Sequence, residues 1–123
     1  AERIYQGGFH FIDFTDVNNP QETAIYQVPE VGSHNHWVEG DILYAGYYYG
    51  GIRVLDISGE LLGDLYAQGR EIAFFEGRDP NGKIANETNV WGVIPYKGLI
   101  YFADHYNGLW AVKLVDEEPL GTN

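Results

Sequence analysis

The sequence contains no cysteine and no methionine among its 123 residues. Without cysteine, the chain forms no disulfide and offers no thiolate to a metal ion. Basic residues are scarce, with 7 Lys and Arg against 18 Asp and Glu, so the net charge is −11. This balance argues against binding to nucleic acid or anionic lipid, which are recognised through clustered basic side chains. No apolar run approaches the ~20 residues that a transmembrane helix needs.

Aromatic residues and glycine are abundant instead, with 10 Tyr, 6 Phe, 3 Trp and 16 Gly. Aromatic residues favour pleated strands, and glycine favours the tight turns between them. Hydrophobic residues make up 45% of the sequence, which is ordinary for a folded protein and too many for disorder. The composition therefore predicts an all-β fold. The acidity is expected to serve solubility, with attraction of a cation as the alternative.

One segment occurs three times along the chain. Its copies are GFHFIDF at residues 8–14, GIRVLDI at 51–57 and GLWAVKL at 108–114. The second copy follows the first by 43 residues and the third follows the second by 57. A second unit, Asn-x-Trp followed by Gly and a short apolar strand, precedes the later two copies, at residues 34–46 and 88–104. A period near 43 is typical of a four-stranded propeller blade, whereas the helical tetratricopeptide and ankyrin repeats are shorter.

The spacing predicts a β-propeller fragment of about two and a half four-stranded blades. Residues 1–30 are expected to end one blade, 31–87 to form the second, 88–116 to begin the last, and 117–123 to be a tail. The expected strands are 8–14 and 23–28, then 34–40, 42–48 and 51–57, and finally 88–95, 99–105 and 108–114.

An excursion at residues 58–87 accounts for the longer second period. Either residues 61–66 or residues 70–75 are expected to supply the outer strand of the second blade. A short helix in this excursion is the alternative.

These units resemble the LVIVD-repeat family of exported bacterial and archaeal proteins. GGIRVLDIS at residues 50–58 and HNHWVEG at residues 34–40 match the two motifs of that family. Two departures are His36, where Val is usual, and Lys113, which replaces the Asp at the strand end. The resemblance implies a propeller, a secreted location and often attachment to the cell surface. The family is defined by its repeats and brings no catalytic residues with it.

Propellers close with about 4–8 blades, more than this chain encodes. The end faces of an open stack of blades expose apolar surface, which soluble monomers avoid. We therefore expect the remaining blades of the same propeller to cover these faces, with a protein partner as the alternative.

Two groups of residues are candidate binding residues. The run Tyr47, Tyr48 and Tyr49 directs at least one ring outward or toward a loop, and tyrosine suits recognition surfaces. His34 and Asn35 belong to the first strand of a blade, which lines the central channel. Packing against the neighbouring blade is the alternative for both groups. The three tryptophans recur with the blades and are expected in the core.

A metal site is a second possibility for the histidines. His34 and His36 are two residues apart, so on a strand both point to one face, where Glu39 could join them as a ligand. Two imidazoles without a third ligand leave the coordination incomplete, and a structural role is the alternative. Asp13 and Asp56 end equivalent strands and are expected to cap the following turns rather than act in acid–base chemistry.

No phosphate loop, nucleophile elbow, dinucleotide fingerprint or HExxH motif is present. We assign no catalytic residue, leave enzyme activity open and favour a non-catalytic extracellular or cell-surface module with a structural or protein/glycan-interaction role. One alternative is a metal-dependent propeller enzyme that uses His34 and His36. Another is a calcium-stabilised adhesin. No cofactor is expected apart from such a metal ion.

Overall fold

The computed structural model describes residues 7–116, and this part of the chain forms strands and no helix. The strands are β1 Phe9–Asp13, β2 Gln21–Tyr26, β3 His36–Glu39, β4 Ile42–Gly46, β5 Ile52–Asp56, β6 Gly63–Asp64, β7 Glu71–Phe75, β8 Val90–Tyr96, β9 Leu99–Asp104 and β10 Gly108–Val112. The all-β class predicted from composition is confirmed. Within residues 7–116, accordingly, no helix has the length and apolarity needed to cross a membrane.

The strands form three small sheets. The first sheet has the order β1-β2-β6, the middle sheet β3-β4-β5-β7, and the last sheet β10-β9-β8. Neighbouring strands are antiparallel, except that β6 pairs in parallel with β2 through Ala24 opposite Gly63 and Ile25 opposite Asp64. Each expected strand outside the excursion has an observed counterpart, but the first strand of the middle sheet begins at His36 rather than at residue 34.

The excursion between β5 and β8 contributes one strand to each of two sheets. β7 pairs with β5, so residues 70–75, and not 61–66, supply the fourth strand of the middle sheet. β6 turns back to the first sheet, where the amide of Leu65 donates to the carbonyl of Ile25 over 2.9 Å. The Leu65 side chain is fully buried there, so the burial of its apolar surface favours the return of the chain to the first sheet.

The middle sheet packs between the other two, and its strands β4 and β5 are largely buried on both faces. Alternation along β5 directs Leu55 into a core shared with the first sheet, and Ile52 and Val54 into a core shared with the last. Tyr26 belongs to the former core and Phe102 to the latter. Strand β5 is apolar on both faces for this reason, because each face has a sheet to cover it.

The sequence repeat is also a repeat of pairing geometry. β1 pairs with β2 as β5 pairs with β7, and each pair has a β-bulge at the same place. The bulge lies between Phe11 and Ile12 in β1, and between Val54 and Leu55 in β5. Because bulges re-aim side chains and bend the strand, their coincidence shows that the two copies adopt the same local structure.

Glycine at the start of the first two copies has a steric cause. Gly51 has φ +72°, and a Cβ at this position would overlap the carbonyl oxygen of Phe75 on the paired strand. At the equivalent Gly8, a Cβ would lie 2.7 Å from the carbonyl oxygen of Tyr26. The glycine in both copies therefore permits close approach of the partner strand.

A polar pair crosses both strand pairs at equivalent positions. In the middle sheet Arg53 Nη1 lies 3.2 Å from Glu71 Oε1, and in the first sheet His10 Nδ1 lies 2.6 Å from Glu22 Oε2. The side chains of Arg53 and Glu71 are 10% and 16% exposed, because the first sheet covers them and Tyr26 donates a hydrogen bond to Glu71. Those of His10 and Glu22 are 53% and 51% exposed.

Candidate functional site

The middle and last sheets are joined by backbone hydrogen bonds at the ends of their strands. Tyr48 and Val90 exchange two such bonds of 3.1 and 3.0 Å, and the amide of Asn35 donates to the carbonyl of Trp91 over 3.1 Å. Tyr48 has φ +31°, a left-handed conformation that is unusual for a bulky residue. The two bonds to Val90 hold it in place and bring the loops of both sheets together.

An exposed group of aromatic rings lies at this junction, and we name it the Trp91 cluster: His34, Tyr48, Trp91 and His105. The His34 ring stacks on the Trp91 indole with centroids 5.0 Å apart and planes 15° apart. His105 meets Trp91 edge-on at 4.9 Å, and Tyr48 meets His34 edge-on at 5.6 Å. The cluster is at the surface, since Trp91 is 43% exposed.

Hydrogen bonds to Asn89 connect the Trp91 cluster to the rest of the last sheet. The indole Nε1 of Trp91 donates to Asn89 Oδ1 over 2.7 Å, and the amide of His105 donates to the Asn89 carbonyl over 2.8 Å. Asp104, only 4% exposed, accepts the Asn89 amide at 3.1 Å and the buried Thr88 hydroxyl at 2.5 Å. Trp91 and His105 are thus connected through Asn89 to a buried polar network around Asp104.

Of the candidate binding residues, three lie at this junction. His34 and Tyr48 belong to the Trp91 cluster, and Asn35 anchors the loop through its backbone. Tyr49 is partly buried beside them, and its carbonyl accepts a hydrogen bond from Arg78 Nη2 over 3.3 Å.

The prediction is wrong for Tyr47, which is fully buried and therefore lies outside any binding surface. Its hydroxyl donates to the carbonyl of Tyr26 over 3.0 Å, and its ring meets Phe9 edge-on. Burial raises the pKa of this phenol above its usual value. Leu43 and Ala45 of β4 point into the core. Tyr47 points the same way because the alternation of side chains continues one residue beyond the end of β4.

The two histidines proposed as metal ligands contact different sheets. His34 precedes β3 and stacks on Trp91 of the last sheet, whereas His36 begins β3 and meets Phe9 of the first sheet at 5.1 Å. Strand alternation does not apply to His34, because that residue is outside the strand. Among residues 7–116, which include Glu39, no group of three or more His, Asp or Glu side chains is placed to hold a metal ion.

Asp13 and Asp56 cap the turns after their strands, as predicted. Asp13 Oδ1 accepts the hydroxyl and the amide of Thr15 at 2.6 and 2.8 Å, and Asp56 Oδ1 accepts the amide of Ser58 at 2.8 Å. Hydrogen bonds from the hydroxyl and then the amide of Thr15 to Asp13, and from the same two groups of Ser58 to Asp56, hold the pKa of both carboxyls below its usual value.

Sequence reasoning missed the exposure of two tryptophans and the part played by His105. Trp37 and Trp91 are 46% and 43% exposed, so the prediction that they belong to the core is wrong. Trp110 does pack inward, stacked on Phe102 with planes 7° apart. No local signal marks His105, because it meets Trp91 only once β8 and β9 have paired in the last sheet.

Comparison of the chain with protein-family models, with curated proteins and with solved structures gives no match.

Proposed function

We propose that the chain is part of an exported β-propeller of the LVIVD-repeat type, and that it acts as a non-catalytic cell-surface module which binds glycan through the Trp91 cluster. The propeller is supported by three repeated sheets packed face to face in chain order. Export is supported only by the resemblance of residues 34–40 and 50–58 to that family. The exposed Trp91 cluster is the observation that carries the binding function.

The stack has two features of successive propeller blades. Its sheets are packed through apolar faces, and the first strands of the middle and last sheets, β3 and β8, lie beside each other. In a propeller the first strand of each blade lines the central channel, so such strands converge. The Trp91 cluster would then lie where the channel opens, a position at which loops from several blades meet a ligand.

The chemistry of the cluster suits a sugar ring. Sugars present C–H groups on one face, which pack on the electron-rich faces of indole and imidazole, and hydroxyls at their edges, which hydrogen-bond to ring nitrogens. His34 and His105 both contact the Trp91 ring and supply such nitrogens. The net charge of −11 favours neutral or basic saccharides over acidic polysaccharides.

A glycan array probed with the purified chain tests this function, followed by titration of the best oligosaccharide. Trp91→Ala should weaken binding at least about tenfold, because truncating a central aromatic anchor commonly costs more than ~1 kcal/mol. Trp37→Ala is the matched control, since Trp37 is 46% exposed and lies outside the cluster. The wild type should also show a change in tryptophan fluorescence on binding, which Trp91→Ala should largely lose.

Three results would contradict glycan binding. The first is no binding on the array, nor in a titration with millimolar oligosaccharide. The second is an equal loss of glycan affinity in Trp37→Ala and Trp91→Ala. The third is saturable binding of an envelope protein that Trp91→Ala abolishes. The last result would instead identify the cluster as a protein-binding surface.

Two other functions stay predictions without support from the contacts of residues 7–116. A metal-dependent enzyme using His34 and His36 requires a filled site, so elemental analysis of untagged protein should find close to one equivalent of a transition metal. A calcium-stabilised adhesin requires a rise in melting temperature with millimolar calcium, because a ligand that binds only the folded state stabilises it.

A further inference from the structure

The chain has two Asn-Gly pairs, and the structure places Gly82 of one against Asn107 of the other. Asn81–Gly82 lies in the excursion between β7 and β8, and Asn107–Gly108 lies where the turn after β9 leads into β10. Asn-Gly pairs are prone to deamidation, because glycine has no side chain to keep its amide nitrogen away from the asparagine carboxamide. The two pairs share this chemistry, so their surroundings decide which of them reacts.

The carboxamide of Asn107 is held by three hydrogen bonds. Its Nδ2 donates to the carbonyls of Gly77 and Glu87 over 2.7 and 2.8 Å, and to Asp104 Oδ2 over 3.3 Å. Deamidation expels this nitrogen as ammonia, so attack by the Gly108 nitrogen would end all three bonds. The hydrogen bonds of Asn107 therefore protect it from deamidation.

Asn81 has no such protection. The residue is exposed, and its side chain makes no hydrogen bond to any of residues 7–116. Its backbone lies in a tight turn, where the Asn81 amide donates to Asp79 Oδ1 over 2.7 Å and the Gly82 amide donates to the Asp79 carbonyl over 3.2 Å. The second bond is at the long end of the usual range, so the Gly82 nitrogen is released when one weak hydrogen bond opens.

We propose that Asn81 is a site of spontaneous deamidation and that Asn107 is not. The Gly82 nitrogen gives its proton to water and attacks Cγ of Asn81, and the carboxamide nitrogen takes up a proton and leaves as ammonia. The resulting cyclic succinimide adds one water at either of its two carbonyls. Opening at one carbonyl gives aspartate, and opening at the other gives isoaspartate, in which the backbone runs through the side-chain carbon. Both products add one negative charge.

The isoaspartyl product disturbs a close contact between Gly82 and Asn107. A Cβ on Gly82 would overlap Asn107 Oδ1, and that oxygen is buried and has no hydrogen-bond partner among residues 7–116. Isoaspartate at position 81 adds one methylene to the backbone directly before Gly82, so Gly82 is displaced from Asn107. Water then reaches the oxygen, and because a buried acceptor without a partner is costly, this hydration favours the displaced loop.

The same loop is bound to the last sheet through Lys83, whose amide donates to the carbonyl of Tyr106 over 3.1 Å. Because Lys83 follows Gly82, displacement of Gly82 should weaken this bond and speed hydrogen exchange at the Lys83 amide. The residues of the Trp91 cluster take no part in the reaction, so deamidation of Asn81 is independent of the proposed glycan binding.

Storage of the purified chain at mildly alkaline pH, followed by peptide mapping with mass spectrometry, tests the site. Replacement of NH₂ by OH raises the mass of a modified peptide by about one dalton. Asn81 should convert at least about 100-fold faster than Asn107, because Asn107 must give up three hydrogen bonds. Labelling by an isoaspartate methyltransferase should detect the isoaspartyl product, and Asn81→Gln should remove most of this labelling.

Hydrogen exchange of the separated isoaspartyl form tests the effect on the loop. The Lys83 amide should exchange at least about tenfold faster than in the freshly purified chain. Asn81→Asp is the matched control, because it adds the same charge without lengthening the backbone. A fresh sample of this variant should exchange at the wild-type rate.

Two mapping results would overturn the proposed site: Asn81 that stays intact after prolonged storage, and conversion of Asn107 as fast as that of Asn81. Two exchange results would overturn the displacement of Gly82. One is an unchanged rate at the Lys83 amide in the isoaspartyl form. The other is an equal increase in fresh Asn81→Asp, which would assign the effect to charge.

Discussion

Asp104 is the residue whose replacement tests the support of the Trp91 cluster most directly. Its carboxylate is 4% exposed and accepts five hydrogen bonds. Oδ1 accepts the amides of Asn89, Tyr106 and Asn107 at 3.1, 2.8 and 3.2 Å. Oδ2 accepts the Thr88 hydroxyl at 2.5 Å and Asn107 Nδ2 at 3.3 Å.

Asp104→Asn keeps the shape of the side chain but removes its charge. The amide oxygen can still accept the three backbone amides, but each of these hydrogen bonds loses its charge-assisted strength, at about 1 kcal/mol each. The new NH₂ group also faces Asn107 Nδ2, which is itself a donor. We expect the free energy of unfolding to fall by about 3 kcal/mol, a large share of the ~5–15 kcal/mol of a small domain.

Urea denaturation followed by tryptophan fluorescence measures this loss. For an m value of about 2 kcal/mol/M, the midpoint should fall by about 1.5 M. Asp56→Asn is the control, because Asp56 also ends a strand but interacts only locally, with Ser58 in a partly exposed turn and with the charge of Arg70. The reasoning is refuted if Asp104→Asn costs no more than Asp56→Asn, since the buried network would then be replaceable by solvent.

Two further predictions concern the core. Burial, with the hydrogen bond to Glu71, raises the pKa of Tyr26 above its usual value of 10.0, so the stability that Tyr26 contributes should be fully present below pH 10 and should decline by up to about 1.4 kcal/mol per pH unit above it. Because burial raises the pKa of Tyr47 as well, Tyr26→Phe should reduce this decline between pH 10 and 11 without abolishing it, whereas Tyr96→Phe, at a 58% exposed position, should leave it unchanged. Equal slopes for the two variants in denaturation series would contradict the assignment. Gly51→Ala should destabilise the protein more than Gly59→Ala, because both glycines have positive φ but only at Gly51 would a Cβ overlap a backbone oxygen. Comparable melting temperatures for the two glycine variants would show that the Gly51 backbone does not lie as close to β7 as the structure indicates.

Much of the fold follows from local features of the chain. Repeated segments at 8–14, 51–57 and 108–114 predict β1, β5 and β10, because apolar residues between glycines favour short strands. Asp13 and Asp56 predict their own turns for a local reason too, since their side chains bond the amide two residues later.

The excursion between β5 and β8 was harder to predict. Residues 61–66 and 70–75 have similar apolar character, so either segment suits a fourth strand. The choice depends on Leu65, which finds a buried place against the first sheet, and that place exists only after the sheets have packed.

The composition and the repeat alone determined that this protein is all-β and built from similar units. Tertiary structure alone decided which of Tyr47 and Tyr48 is buried, that His34 and His36 contact different sheets, and that Trp91 meets His34 and His105. The physical reason is that alternation along a strand assigns side chains to two faces but does not say which face another sheet will cover. The rings of His34 and Trp91, far apart in the sequence, meet because the loops of two packed sheets come together.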